Sequence, residues 1–67
     1  MNTITSDDFI EMIRDWQADN SPEYDDLIIG DPYLDSEIWY ADAEDDTGLY
    51  LLMDYRGNVI INYVCGL

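Results

Sequence analysis

The chain has 67 residues, of which 48% are hydrophobic, and it carries sixteen Asp and Glu against two basic residues, Arg14 and Arg56, for a net charge of −14. That length allows one domain spanning 1–67. Its apolar content, with six Tyr, two Trp and one Phe, exceeds what a disordered acidic tail would hold. The charge exceeds the magnitude of roughly 2–8 that already keeps a small domain soluble, and it opposes compaction by self-repulsion.

One cysteine, Cys65, cannot form an internal disulfide, and a secreted domain this small usually needs several. Met1-Asn2-Thr3-Ile4-Thr5 lacks the basic flank and apolar stretch of a signal peptide. No apolar run approaches the length of a membrane span, and an anionic membrane surface would repel the chain. The expected location is the cytoplasm.

The first predicted element is a helix over about Ser6–Asp19. Thr5 is its N-cap, Asp8 reaches back from the third position, and Ile4 and Phe9 form a hydrophobic staple. Phe9, Ile10, Ile13 and Trp16 repeat at helical spacing as the buried stripe. Ser21-Pro22 predicts a second, shorter helix, with Tyr24, Leu27 and Ile28 on one face and Gly30 as terminator. The competing reading makes Leu27-Ile28-Ile29 a short strand. Asp31-Pro32 then forces an extended or turn conformation.

From Glu37 onward the pattern is β. Strands are expected over Ile38–Ala43, Leu49–Asp54 and Val59–Cys65. Glu44–Gly48 is the first turn. Tyr55-Arg56-Gly57 reads as a three-residue hairpin loop that sets Asp54 opposite Asn58. That register gives one apolar face of Leu49, Leu51, Met53, Val59, Ile61 and Tyr63, and one mixed face carrying Tyr50 and Leu52. With Tyr40, these last two are expected on the outer side of the sheet, where they would form cross-strand pairs, an interface or a homodimer contact. The expected fold is α+β, with one long and one short N-terminal helix packed on a three-stranded antiparallel meander.

Four acids on the first helix, Asp7, Glu11, Asp15 and Asp19, recur every fourth residue. Four residues rise about 6 Å along a helix. The carboxylates therefore form a near-linear row, although like charges at this spacing weaken a helix by about 0.2–0.5 kcal/mol per pair. A solvated helix face accounts for such a row in most proteins. In a chain this acidic, phosphate mimicry is an equal competitor: each strand of duplex DNA carries one charge per about 3.4 Å, and a partner's Lys and Arg could pair with the sparser row.

Glu23, Asp25, Asp26, Asp31, Asp35 and Glu37 would extend or flank the row, and Asp42, Glu44, Asp45 and Asp46 concentrate around the first β-turn. Asp is a favoured turn residue, but four acids in five positions exceed what a turn requires. An EF-hand loop counted from Asp42 would place Thr47 at the sixth position and Met53 at the twelfth, where glycine and glutamate are needed, so no metal site is expected. The absence of His removes the commonest general base, and Cys65 has no basic sequence neighbour to lower its pKa. Neither catalysis nor a cofactor is expected, and Cys65 reads as a buried or half-buried small hydrophobe.

The length, the charge of −14, the Asp7/Glu11/Asp15/Asp19 row and the compact α+β pattern together resemble the small acidic inhibitors encoded by phages and mobile elements, including DNA-mimic and anti-CRISPR proteins. The resemblance is one of overall profile and carries no residue over by position. It implies a basic partner, such as the nucleic-acid-binding channel of a CRISPR effector, met by a monomer or homodimer that binds no nucleic acid itself. The alternatives are an immunity protein or antitoxin that caps a basic nuclease or toxin without mimicry and, from another class, a calcium-binding module.

Overall fold

A computed structural model describes residues 4–66. Met1, Asn2 and Thr3, which enter the signal-peptide reading above, lie outside the described residues, as does Leu67. One helix, α1 (Ser6–Asp19), precedes five strands: β1 (Ile28–Ile29), β2 (Tyr33–Asp35), β3 (Ile38–Glu44), β4 (Gly48–Tyr55) and β5 (Asn58–Gly66). All pairings are antiparallel.

The helix follows from local sequence chemistry. The Thr5 hydroxyl accepts from the Asp8 amide at 3.2 Å, and the Asp8 carboxylate accepts from the Thr5 amide at 3.1 Å, which closes the capping box. Phe9 and Ile13 are fully buried, and Ile4 and Trp16 pack against them from either end. At the C-terminal end the Asn20 side-chain amide donates to the Trp16 carbonyl at 2.7 Å.

The second helix does not form. Residues 20–26 are a chain of turns, with amide-to-carbonyl bonds from Glu23 to Asn20, Asp25 to Pro22 and Leu27 to Tyr24. Each spans three or four residues at most, too few to offset the cost of nucleating a helix. Gln17 supplies the partner that a helix would otherwise provide: its side-chain amide donates to the carbonyls of Tyr24 at 3.0 Å and Leu27 at 3.2 Å. The β-branched pair Ile28-Ile29 then takes the strand reading, opposite Glu44 and Ala43 of β3.

The predicted three-stranded meander is therefore replaced by a five-stranded sheet of order β1-β3-β4-β5, with β2 also on β3. β1 and β2 together act as one interrupted edge strand. Between them Gly30 still donates to the Asp42 carbonyl at 2.7 Å, and Pro32, which has no amide hydrogen, breaks the ladder. Tyr33, Leu34 and Asp35 resume opposite Tyr40, Trp39 and Ile38 with the register shifted by one residue, as at a bulge. A two-residue turn links β2 to β3, and its central residues Ser36 (φ 50°) and Glu37 (φ 67°) are both left-handed.

The β4–β5 connection also corrects the sequence expectation. Tyr55 pairs with Asn58 and Asp54 with Val59, so the loop is the two residues Arg56-Gly57, with φ of 53° and 82°. Positive φ at both central positions is the geometry whose twist matches the flanking strands. The one-residue change exchanges faces along β4 relative to β5. Leu52 is buried opposite Ile61, and Tyr50 lies edge-to-face on Tyr63 with ring centroids 5.5 Å apart. Tyr50 and Leu52 therefore face α1, and only Tyr40 of the three residues assigned to the outer side is there.

The core consists of Phe9, Ile13, Leu27, Ala41, Ala43 and Leu52, between α1 and one face of the sheet. Ala41 and Ala43 contribute small side chains to this core from β3. Near the C-terminal end of β5, a Cβ on Gly48 would lie 2.6 Å from the Cys65 carbonyl oxygen, so that close crossing requires glycine.

Candidate protein-binding surface

Asp7, Glu11, Asp15 and Asp19 are all exposed on α1, whose opposite face is anchored by Phe9 and Ile13. The row thus sits on a rigid element. Arg14 shares the exposed side of the helix. Arg56 lies in the β4–β5 hairpin, whose Gly57 borders the same groove as Asp15 and Asp19, with its guanidinium carbon 5.1 Å from the centre of the Tyr55 ring.

Asp15 and Asp19 also border a groove of about 300 Å³ between α1 and the start of β5, with Met12, Trp16 and Val59 on its walls. The helix acids and this depression are therefore contiguous.

Glu23, Asp25 and Asp26 are exposed on the turns that follow α1 and not on a second helix. Asp25 accepts a hydrogen bond from the Ser21 hydroxyl at 2.9 Å. Asp31, Asp35 and Glu37 are exposed on the interrupted edge and its turn.

The β-turn acids divide by role. Asp42 and Glu44 alternate along β3 with the buried Ala41 and Ala43, so they project from the face away from α1. Asp46 is exposed. Asp45 holds the turn together. One of its oxygens accepts from the Thr47 hydroxyl at 2.6 Å, the Thr47 amide at 2.9 Å and the Gly48 amide at 3.1 Å. The Thr47 hydroxyl bond is the main cause of an Asp45 carboxyl pKa below its ordinary value of 3.8. Partial desolvation opposes that bond and the two amides reinforce it. Among the described residues, no three or more His, Cys, Asp or Glu are grouped to hold a metal ion.

The acids named from sequence thus lie on two sides of the sheet. The helix row is on one side, and Asp42 and Glu44 are on the other.

The outer face carries a feature that sequence reasoning missed. Tyr33, Tyr40, Met53 and Ile60 are cross-strand neighbours in one row across β2, β3, β4 and β5. Tyr33 and Tyr40 stack with centroids 5.6 Å apart. Desolvation, followed by the charges of Asp42 and then Asp35, pushes the Tyr33 phenol above its ordinary pKa. The alternation of β3 could have suggested this face, but locating the row required the correct hairpin loop and the unpredicted β2. Cys65, expected to be at least half-buried, is exposed near the end of β5.

Compared with protein families, curated proteins and solved structures, the chain matches none. Among the described residues no helix is long and apolar enough to cross a membrane.

Proposed function

We propose that this chain is an acidic inhibitor that occupies the basic nucleic-acid-binding surface of a target protein, an anti-CRISPR protein that blocks DNA binding by a CRISPR effector. The observation that carries this reading is the exposed Asp7/Glu11/Asp15/Asp19 row on a helix fixed from behind by Phe9 and Ile13. Carboxylates on a preorganised scaffold meet a partner's Lys and Arg without first ordering a flexible segment. The net charge of −14 adds long-range attraction to any basic channel and speeds encounter.

The test is a competition assay in which the protein and a DNA duplex contend for each of a panel of CRISPR effectors at low salt. Wild-type protein displaces the duplex. A variant carrying Asp7→Lys, Glu11→Lys and Asp15→Lys keeps its circular dichroism spectrum and does not. A folded triple variant with unchanged affinity removes the helix row from the mechanism.

The outer face supports a second reading. The stacked Tyr33 and Tyr40, continued by Met53 and Ile60 and bordered by Asp35 and Asp42, combine aromatic anchors with an acidic margin. Such a surface suits an immunity protein or antitoxin that caps a basic toxin. Substitution of Tyr40 by Ala would then abolish protection, while the helix-row variant would retain it.

A further inference from the structure

The two edges of the sheet differ sharply. One edge is split into β1 and β2 by Gly30-Asp31-Pro32, and its strands have two and three residues. Short strands, proline and charge are the usual means of preventing an edge from pairing. The other edge is β5, nine residues long, and the sequence NVIINYVCG contains no acid, no base and no proline. Among the strands of three or more residues it alone lacks a carboxylate, in a chain with sixteen acids.

The tight hairpin determines which backbone groups are free. Tyr55 and Asn58 flank a two-residue turn and pair with each other. The hydrogen-bonded positions of β5 toward β4 are then Asn58, Ile60 and Asn62, and the amides and carbonyls of Val59, Ile61 and Tyr63 face outward. Val59, Ile61 and Tyr63 also share the side of the sheet that carries α1.

We infer that β5 pairs antiparallel with β5 of a second copy, about a two-fold axis at Ile61, to form a homodimer with one continuous sheet. A two-fold interface requires self-complementarity, with residue i on j and j on i. Pairing about Ile61 sets Val59 of each copy opposite the partner's Tyr63. Tyr63 is 61% exposed, and its ring lies over Gly48 and Tyr50 of β4 with its hydroxyl beside Gly66, so the side chain packs on its own sheet and leaves the seam to the outward backbone groups.

A second copy fits this edge because it presents the same long, uncharged strand. Uncharged strands meet at the seam, so no carboxylate is placed directly opposite another there. The two-fold axis is perpendicular to the sheet, which puts both α1 helices on one side and doubles the acidic surface. Repulsion between those helices opposes the dimer, so salt should strengthen self-association while it weakens binding to a basic partner. The salt response of self-association is measured without any partner, so failure of the dimer is distinguishable from failure of the inhibitor reading.

The experiment is sedimentation velocity of the full chain over a concentration series at low and high salt, combined with amide hydrogen exchange. A dimer that grows with concentration and salt is expected, with the amides of Val59, Ile61 and Tyr63 protected only in the dimer. Ile61→Pro removes an outward amide and should leave a folded monomer, because edge positions tolerate proline. If that variant does not fold, Tyr63→Pro serves instead: it removes another outward amide at a more exposed edge position, and the dimer should be lost. A chain that stays monomeric at every concentration and salt, a dimer that persists in either folded variant, or protection confined to the outer face would overturn the proposal. So would β5 amides protected by an added lysine-rich strand peptide but not by concentration, which would assign this edge to a basic partner.

Discussion

The indole amine of Trp39 donates a hydrogen bond to the carbonyl of Ile4 at 2.9 Å, across 35 positions of sequence. The same indole stacks on Phe9 with ring centroids 6.3 Å apart. One side chain of β3 thus ties down the residue that leads into α1 and packs on the residue that anchors it. This contact, with buried Phe9 and Ile13, holds the helix that carries the acidic row. Replacement of Trp39 by Phe keeps an aromatic ring and deletes the donor, and should cost about 1 kcal/mol in urea denaturation. The loss should be larger for Trp39→Ala, which also vacates the space beside Phe9.

The β2–β3 turn stores removable strain. Glu37 has a φ of 67°, a region that costs a residue bearing a Cβ roughly 1–2 kcal/mol. Glycine relieves that cost and loses part of the gain to its greater freedom in the unfolded chain. Glu37→Gly should stabilise the protein by roughly 0.5–1 kcal/mol, seen as a rise of several degrees in Tm.

Asp45 links stability to pH. The Thr47 hydroxyl is first among the groups that hold its carboxyl below the ordinary value of 3.8. A depressed folded-state pKa stabilises the fold above the unfolded value, and the contribution fades as pH falls through the folded-state value. Thr47→Val removes the hydroxyl and should raise the Asp45 pKa, measured from side-chain carboxyl chemical shifts. The variant should also lose stability relative to wild type at neutral pH, and the difference should shrink once both proteins are protonated at Asp45.

Salt should act in opposite directions on folding and on binding. Screening relieves the self-repulsion of a −14 chain, so Tm should rise with sodium chloride. Affinity for a basic partner should fall over the same range. If Tm is flat in salt, the carboxylates are too widely separated to oppose folding, and charge density ceases to be evidence that the acids were placed for a partner.

Local chemistry made α1 legible. Thr5 and Asp8 form their cap within four residues, and the apolar repeat of Phe9, Ile13 and Trp16 lies within a single helix. The exposed acid row followed from the same periodicity. Segment 21–35 was harder to read because its competing signals were both local and plausible. Pro22 and Gly30 suggested a helix, whereas the outcome depended on the exposed edge of β3 and on the side-chain amide of Gln17, ten residues before Leu27.

The register of the last hairpin shows the limit most clearly. Leu51 and Leu52 are adjacent and identical, so hydrophobicity alone could place either of them inside. The two-residue turn at Arg56-Gly57 put Leu52 beneath α1 and Leu51 on the outer face. By itself, the sequence determined the helix, its caps, its line of carboxylates and the presence of β-structure after Glu37, because these rest on contacts within a few residues. Only the tertiary structure decided which acids share a side, where the aromatic row lies and which edge is free, because each depends on strand pairing, where a slip of one residue turns every side chain to the other face.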